Sequence, residues 1–202
     1  MSANTCTNEQ FLKDVCDHQM IVIRADGVVR HIRFKKPGAS YYWFDLITWP
    51  GALCIDGDCG TYVFKRLEDM FVFFRTKHGG INDGYWAEKV VAQCKTDGLT
   101  EFDRESFVRQ AVETYRDYWR DRREWSRQLE GFRELRDEVL NAENLYEAHA
   151  AMRDFGFEGF EFHDTWEWDL TRYTGRFIWN LRAIAWGIQQ WDSQQQQQEQ
   201  AA

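Results

Sequence analysis

Two places in this chain bring together groups able to move protons or hold a cation. Glu161, His163, Asp164, Glu167 and Asp169 set an imidazole among four carboxylates within nine residues. Such a mixture can work as a general acid–base pair or ligate a metal ion, which makes His163, Asp164 and Glu167 catalytic candidates. The turn Asp56-Gly57-Asp58-Cys59-Gly60 offers carboxylates beside a thiol, with Asp58 and Cys59 as its candidates. Each place also has a plainer explanation. Asp164 precedes Glu167 by the spacing of a capping box, and a helix start draws acids through its dipole. Asp and Gly at 56–60 are ordinary turn residues. The turn lacks the later ligands of a calcium loop, and no histidine stands at a spacing that would activate Cys59. Cys54 and Cys59 have no second Cys/His pair to complete a zinc site. No metal and no cofactor is expected, and no enzymatic motif is apparent.

Groups suited to binding are more numerous. Arg24, Arg30, Arg33, Lys35 and Lys36 gather in one predicted hairpin. Arg30, Arg33 and Lys35 are candidates for contact with a phosphate or an acidic partner, the alternative being a solvated sheet face with cations guarding its edge. The stretch Tyr115–Trp125 interleaves arginines with Trp119 and Trp125, rings that can stack on a base or anchor a protein interface. Asp117, Asp121 and Glu124 compete for those arginines as ion pairs along a helix. Ten tryptophans in 202 residues imply a core built of large rings, a recognition surface, or both.

Charge is unevenly placed. Residues 1–100 carry 12 Lys+Arg and 12 Asp+Glu, whereas residues 101–202 carry 13 and 21, so the net −8 lies wholly in the second half. A nucleic-acid binder normally shows a basic face, and the sign here opposes one. The five cysteines are odd in number and scattered, the mark of reduced thiols. There is no apolar run long enough to span a membrane, and MSANTCTNEQ lacks the basic start and apolar stretch of a signal peptide, so a cytoplasmic protein is expected.

The elements that must position these groups read as α+β. Asn8 is a candidate cap for a short helix through Val15. Met20–Ala25 and Val28–Lys35 flank Asp26-Gly27, a hairpin turn signal, with Arg30, Ile32 and Phe34 on one face and His31, Arg33 and Lys35 on the other. Tyr41–Trp49, the Pro50-Gly51 turn, a strand through Ile55 and Thr61–Phe64 complete an antiparallel meander of about five strands. Helices are expected over Leu67–Thr76, ended by His78-Gly79-Gly80, and over Gly84–Cys94. Residues 101–150 give one long or two consecutive helices, and Asn144–Met152 another. Phe155–His163 is the one late strand candidate. A final helix over Thr165–Asp192 is apolar on two sides. This yields one α+β domain, residues 1–192, mainly sheet over 1–76 and mainly helical over 77–192, with the helices covering the sheet. The Gln-rich residues 193–202 are expected to be a disordered tail.

The blocks HIRFKKPGASYYWFDLITWPGALCIDGDCGTYVFKRLEDMFVFFR (31–75) and WEWDLTRYTGRFIWNLRAIAWGIQQWD (166–192) resemble a largely uncharacterised family of small proteins encoded by tailed phages and prophages of proteobacteria. The resemblance supplies no catalytic residues. It implies a phage accessory protein acting in the host cytoplasm by binding a host protein complex, as an inhibitor of anti-phage defence. A metal-dependent or nucleic-acid-processing enzyme and a nucleic-acid binder are the alternatives.

Overall fold

The computed structural model describes residues 6–76, 80–95, 98–122 and 124–201. The architecture is α+β, and the chain divides into two compact units, Met1–Leu99 with Tyr173–Ala202, and Thr100–Arg172. The division does not follow the sequence-based boundary at residue 76, because the last helix belongs with the sheet and the middle helices form a core of their own.

The first unit is a six-stranded antiparallel sheet in sequential order, β1 (Gln19–Asp26), β2 (Val29–Lys35), β3 (Phe44–Trp49), β4 (Ala52–Gly57), β5 (Gly60–Lys65) and β6 (Val90–Gln93). Strict alternation sets its inner face. Ile32, Phe34, Phe44, Leu46, Leu53, Ile55, Tyr62 and Phe64 are all fully buried, and each such side chain contributes about 1.5–3 kcal/mol of burial. The β1–β2 turn is Gly27-Val28, one residue later than the dipeptide signal, with Gly27 at φ 57°. Pro50-Gly51 closes β3 on β4 with Gly51 at φ 83°, the value its turn requires.

Among the described residues four helices pack in this unit: α1 (Asn8–Val15), α2 (Met70–Phe74), α3 (Asp83–Ala87) and the long α7 (Gly175–Ala201). Phe177, Leu181, Ala183, Ile184 and Ile188 are buried at 0–1%, and Trp179 at 4%, so α7 is covered on more than one side. Gly187 sets the closeness of its approach. A Cβ there would stand 2.8 Å from Leu46 Cδ1 and 3.1 Å from Phe34 Cε2.

Several expectations are corrected. Thr7, not Asn8, caps α1, its hydroxyl accepting from Gln10 N at 3.1 Å. The helix expected over 67–76 is only α2, because Asp69 caps it from within that range, Oδ1 accepting from Phe71 N at 2.9 Å. The expected stop at His78 and Gly79 lies outside the described residues. The helix expected over 84–94 ends at Ala87, and Val90–Gln93 instead pairs with β5 as a sixth strand, as its β-branched residues favour. The last helix starts at Gly175, not Thr165, with Thr174 Oγ1 accepting from Phe177 N. The Gln-rich residues continue α7 to Ala201, since glutamine propagates a helix already nucleated by buried turns.

The second unit holds α4 (Arg104–Trp119), α5 (Trp125–Glu138) and α6 (Leu145–Asp154). It also holds β7 (Thr100–Phe102), which lies beside β10 (Thr171–Tyr173), and a tight hairpin of β8 (Gly156–Phe157) with β9 (Phe160–Glu161). Phe107, Ala111, Tyr115, Leu135, Val139, Ala148 and Met152 are fully buried and form its core.

One packing constraint yields a direct test. A Cβ at Gly57 would collide with the Trp43 carbonyl oxygen and lie 2.8 Å from Phe44 Cα, both backbone atoms. Gly57→Ala should lower stability by about 1–3 kcal/mol in urea unfolding, and an unchanged midpoint would refute the close packing of β3 and β4.

Candidate functional site

The outer face of the sheet holds its basic residues in ion pairs. Arg33 Nε and Nη2 donate to Asp45 at 2.7 and 2.8 Å, His31 Nε2 lies 2.7 Å from Asp45 Oδ2, and the Arg33 guanidinium sits 5.2 Å from the Trp43 ring centre. On the inner face Arg30 grips Asp69 with two hydrogen bonds of 2.8 and 2.9 Å and lies 4.6 Å over Phe71. Arg24 pairs with Asp26 and Lys36 with Asp17. Arg30 and Arg33 therefore act as structural clamps. Lys35 has no ion pair among the described residues, and alone it makes no basic face.

Burial works against the charges of Asp45 and Asp69, yet the arginine hydrogen bonds outweigh it, and both carboxyls titrate below the ordinary 3.8. A carboxyl held low in the folded chain adds stability above 3.8 and loses it as pH falls through its folded value.

The two reactive-looking clusters differ in their surroundings. Glu161, His163, Asp164, Glu167 and Asp169 are all exposed, and among the described residues no group of three His, Cys, Asp or Glu could hold a metal ion. Asp164 sits at φ 54° before a single 3-10 turn, Thr165–Glu167, and its side chain makes no cap bond. Asp56 accepts from Thr61 Oγ1 at 2.5 Å, and Asp58 accepts from Tyr42 N at 2.9 Å, so both brace the hairpin. Cys59 is buried, its carbonyl accepting from Asn180 Nδ2 at 2.8 Å, and burial pushes its thiol up to about 12. That thiol is no nucleophile at neutral pH.

The aromatic run resolves into one buried and one exposed ring. Trp119 is 3% exposed, in the core of the second unit, and has no free ring face for the binding expected of it, whereas Trp125 is 79% exposed. Trp125 opens α5, and with Leu129 and Phe132 at helical spacing it lines a groove of about 410 Å³ completed by Tyr115, Arg116 and Gln128. Gly131 shapes the groove, because a Cβ there would collide with Phe157 and stand 2.5 Å from the Tyr115 hydroxyl oxygen. Without a side chain at 131, α5 lies close enough for Tyr115 to donate to the Gln128 carbonyl at 2.8 Å. Burial pushes that phenol up to about 12.

Leu129 at 53%, Tyr146 at 83% and Trp166 at 74% add further apolar surface to the same unit. Arg116 is exposed at the groove and has no ion pair among the described residues. Residues 100–172 carry 19 Asp+Glu against 11 Arg and no Lys, so the whole excess of −8 resides in this unit. Exposed large rings thus stand beside a groove on a unit with a net negative charge. The sequence offers Trp119 and Trp125 as equivalent binding candidates. The signal that separates Trp125 from Trp119 is its place at the first position of α5, where few neighbours can cover it.

No protein-family model, curated protein or solved structure matches this chain.

Two outcomes follow. Trp125→Ala should shift stability by no more than about 0.5 kcal/mol, whereas Trp119→Ala should cost about 3–5 kcal/mol; equal losses in urea unfolding would contradict this placement. Asp45→Asn should be less stable than the parent at neutral pH, with the gap closing well below the ordinary carboxyl value of 3.8. A gap that widens on acidification would mean that the Asp45 carboxylate does not stabilise the fold.

Proposed function

We propose that this chain is a phage or prophage accessory protein that acts by binding, docking the aromatic groove of its acidic unit onto a host protein of an anti-phage defence complex and blocking it. The observation that carries the reading is Trp125, 79% exposed beside a groove of about 410 Å³ in the unit that holds all the excess negative charge. A ring held so far out of its own core gains its burial only when a partner arrives, and truncating such an anchor characteristically weakens binding by about 2 kcal/mol or more. The acidic surroundings favour a basic target surface and speed its encounter. The phage-like blocks at 31–75 and 166–192 support the setting, and no helix among the described residues is long and apolar enough to cross a membrane.

The test is capture from lysate of a proteobacterial host carrying a defence system, coupled to phage plating on the same strain. The parent chain should retain a defined host protein and restore plating. Trp125→Ala combined with Leu129→Ala should lose both, with an unchanged circular dichroism spectrum. Capture and plating that ignore the double substitution would refute the groove as the docking surface.

A further inference from the structure

The groove beside Trp125 carries the charge sign opposite to that of its unit. Residues 100–172 hold 19 Asp+Glu against 11 Arg. Yet none of the groove's lining residues is acidic, and one of them, Arg116, is a cation. A second cation, Arg133, stands four residues after Leu129 on α5, on the same side of the helix, and is exposed like Arg116.

These two arginines differ from the others of the unit. Eight arginines of residues 100–172 are hydrogen-bonded or ion-paired within it. Arg116 and Arg133 make neither kind of contact among the described residues. Carboxylates are not lacking at helical spacing, with Glu113 three residues before Arg116 and Asp137 four after Arg133. Neither pair forms, and Asp137 is held instead by Arg136 at 2.7 Å. A unit with carboxylates to spare thus leaves two guanidinium groups open, one in the groove and one a turn away.

From this charge pattern we infer that the groove takes a segment of the partner in which a carboxylate lies beside apolar side chains. The apolar groups seat on Trp125, Leu129 and Phe132, which repeat at i, i+4 and i+7 and span about 10 Å of helix. The carboxylate meets Arg116, whose planar fork fits it with two parallel hydrogen bonds. At physiological ionic strength exposed charges more than about 8 Å apart are largely screened from one another. The unit's wider excess of carboxylate therefore governs encounter with a basic host surface, while the cations at the groove select what enters it. The inference rests on the groove being the docking surface and adds the chemistry of the docked segment.

Panning the full chain against a random peptide library tests this without the host. Peptides retained by the parent, and lost when Trp125→Ala is combined with Leu129→Ala, should join Leu, Phe or Trp to Asp or Glu. For a synthetic peptide of that consensus, Arg116→Glu should raise the dissociation constant by about tenfold or more. Arg153→Glu makes the same charge change at an exposed arginine outside the groove lining, and should leave the affinity nearly unchanged. Because Arg116 is exposed and unpaired, its variant should keep the parent's circular dichroism and melting temperature. Groove-dependent peptides rich in Lys or Arg overturn the inference, as does the absence of any groove-dependent peptide. So does an affinity that Arg116→Glu leaves intact, or that Arg153→Glu lowers as much. A host protein captured through Trp125 and held more tightly by Arg116→Glu would keep the docking surface and overturn the carboxylate. Acidic, apolar peptides without any captured host protein would do the reverse.

Discussion

The sheet unit depends on how closely α7 lies against β2 and β3. Gly187 leaves no atom between that helix and the rings of the sheet, with Leu46 and Phe34 directly beneath it. Around this contact Phe34 and Phe44 stack at 4.8 Å, and Trp186 meets Phe34 edge-on at 5.4 Å. Trp179 packs on Phe11 at 5.4 Å and on Tyr42 at 5.6 Å. Rings of this size fill an interior at high density only in fixed orientations, so the helix and the sheet specify one another. Asn180 ties α7 to the β4–β5 turn through the Cys59 carbonyl, and Arg75 ties α2 to Asp192. Of the polar residues that first looked chemical, Asp56, Asp58 and Cys59 serve to join elements of this unit.

The second unit repeats the device with another glycine and a different result. At Gly131 the close approach lets α5 sit against Tyr115 and Phe157, while Trp125 and Leu129 of the same helix line an open groove. In the first unit the close contact seals a core; in the second it leaves apolar surface uncovered beside an excess of carboxylates. That difference is why binding is assigned to residues 100–172, and structural roles to the arginines of the hairpin.

Much of the fold was legible in the sequence. The alternation of β2, the Pro50-Gly51 turn and the ring-rich run from Tyr41 to Trp49 set register and face through local rules. Elements that depend on a distant partner were harder to read. Val90–Gln93 is too short to announce itself, and becomes a strand because β5 offers an open edge. The acidic stretch 161–169 could pass for a site or a cap. Its carboxylates are exposed, and the helix it was meant to start begins at Gly175. Trp119 and Trp125 belong to one run of rings and arginines in the sequence, and only the break between α4 and α5 separates a core ring from an exposed one.

Whether Trp125 meets another protein in the cell can be read with a photo-crosslinking amino acid placed at position 125, expressed in a defended host and irradiated. One discrete adduct with a host protein is expected, absent when the same group replaces Val72, an exposed residue of the sheet unit. Adducts at 72 and no adduct at 125 would contradict it.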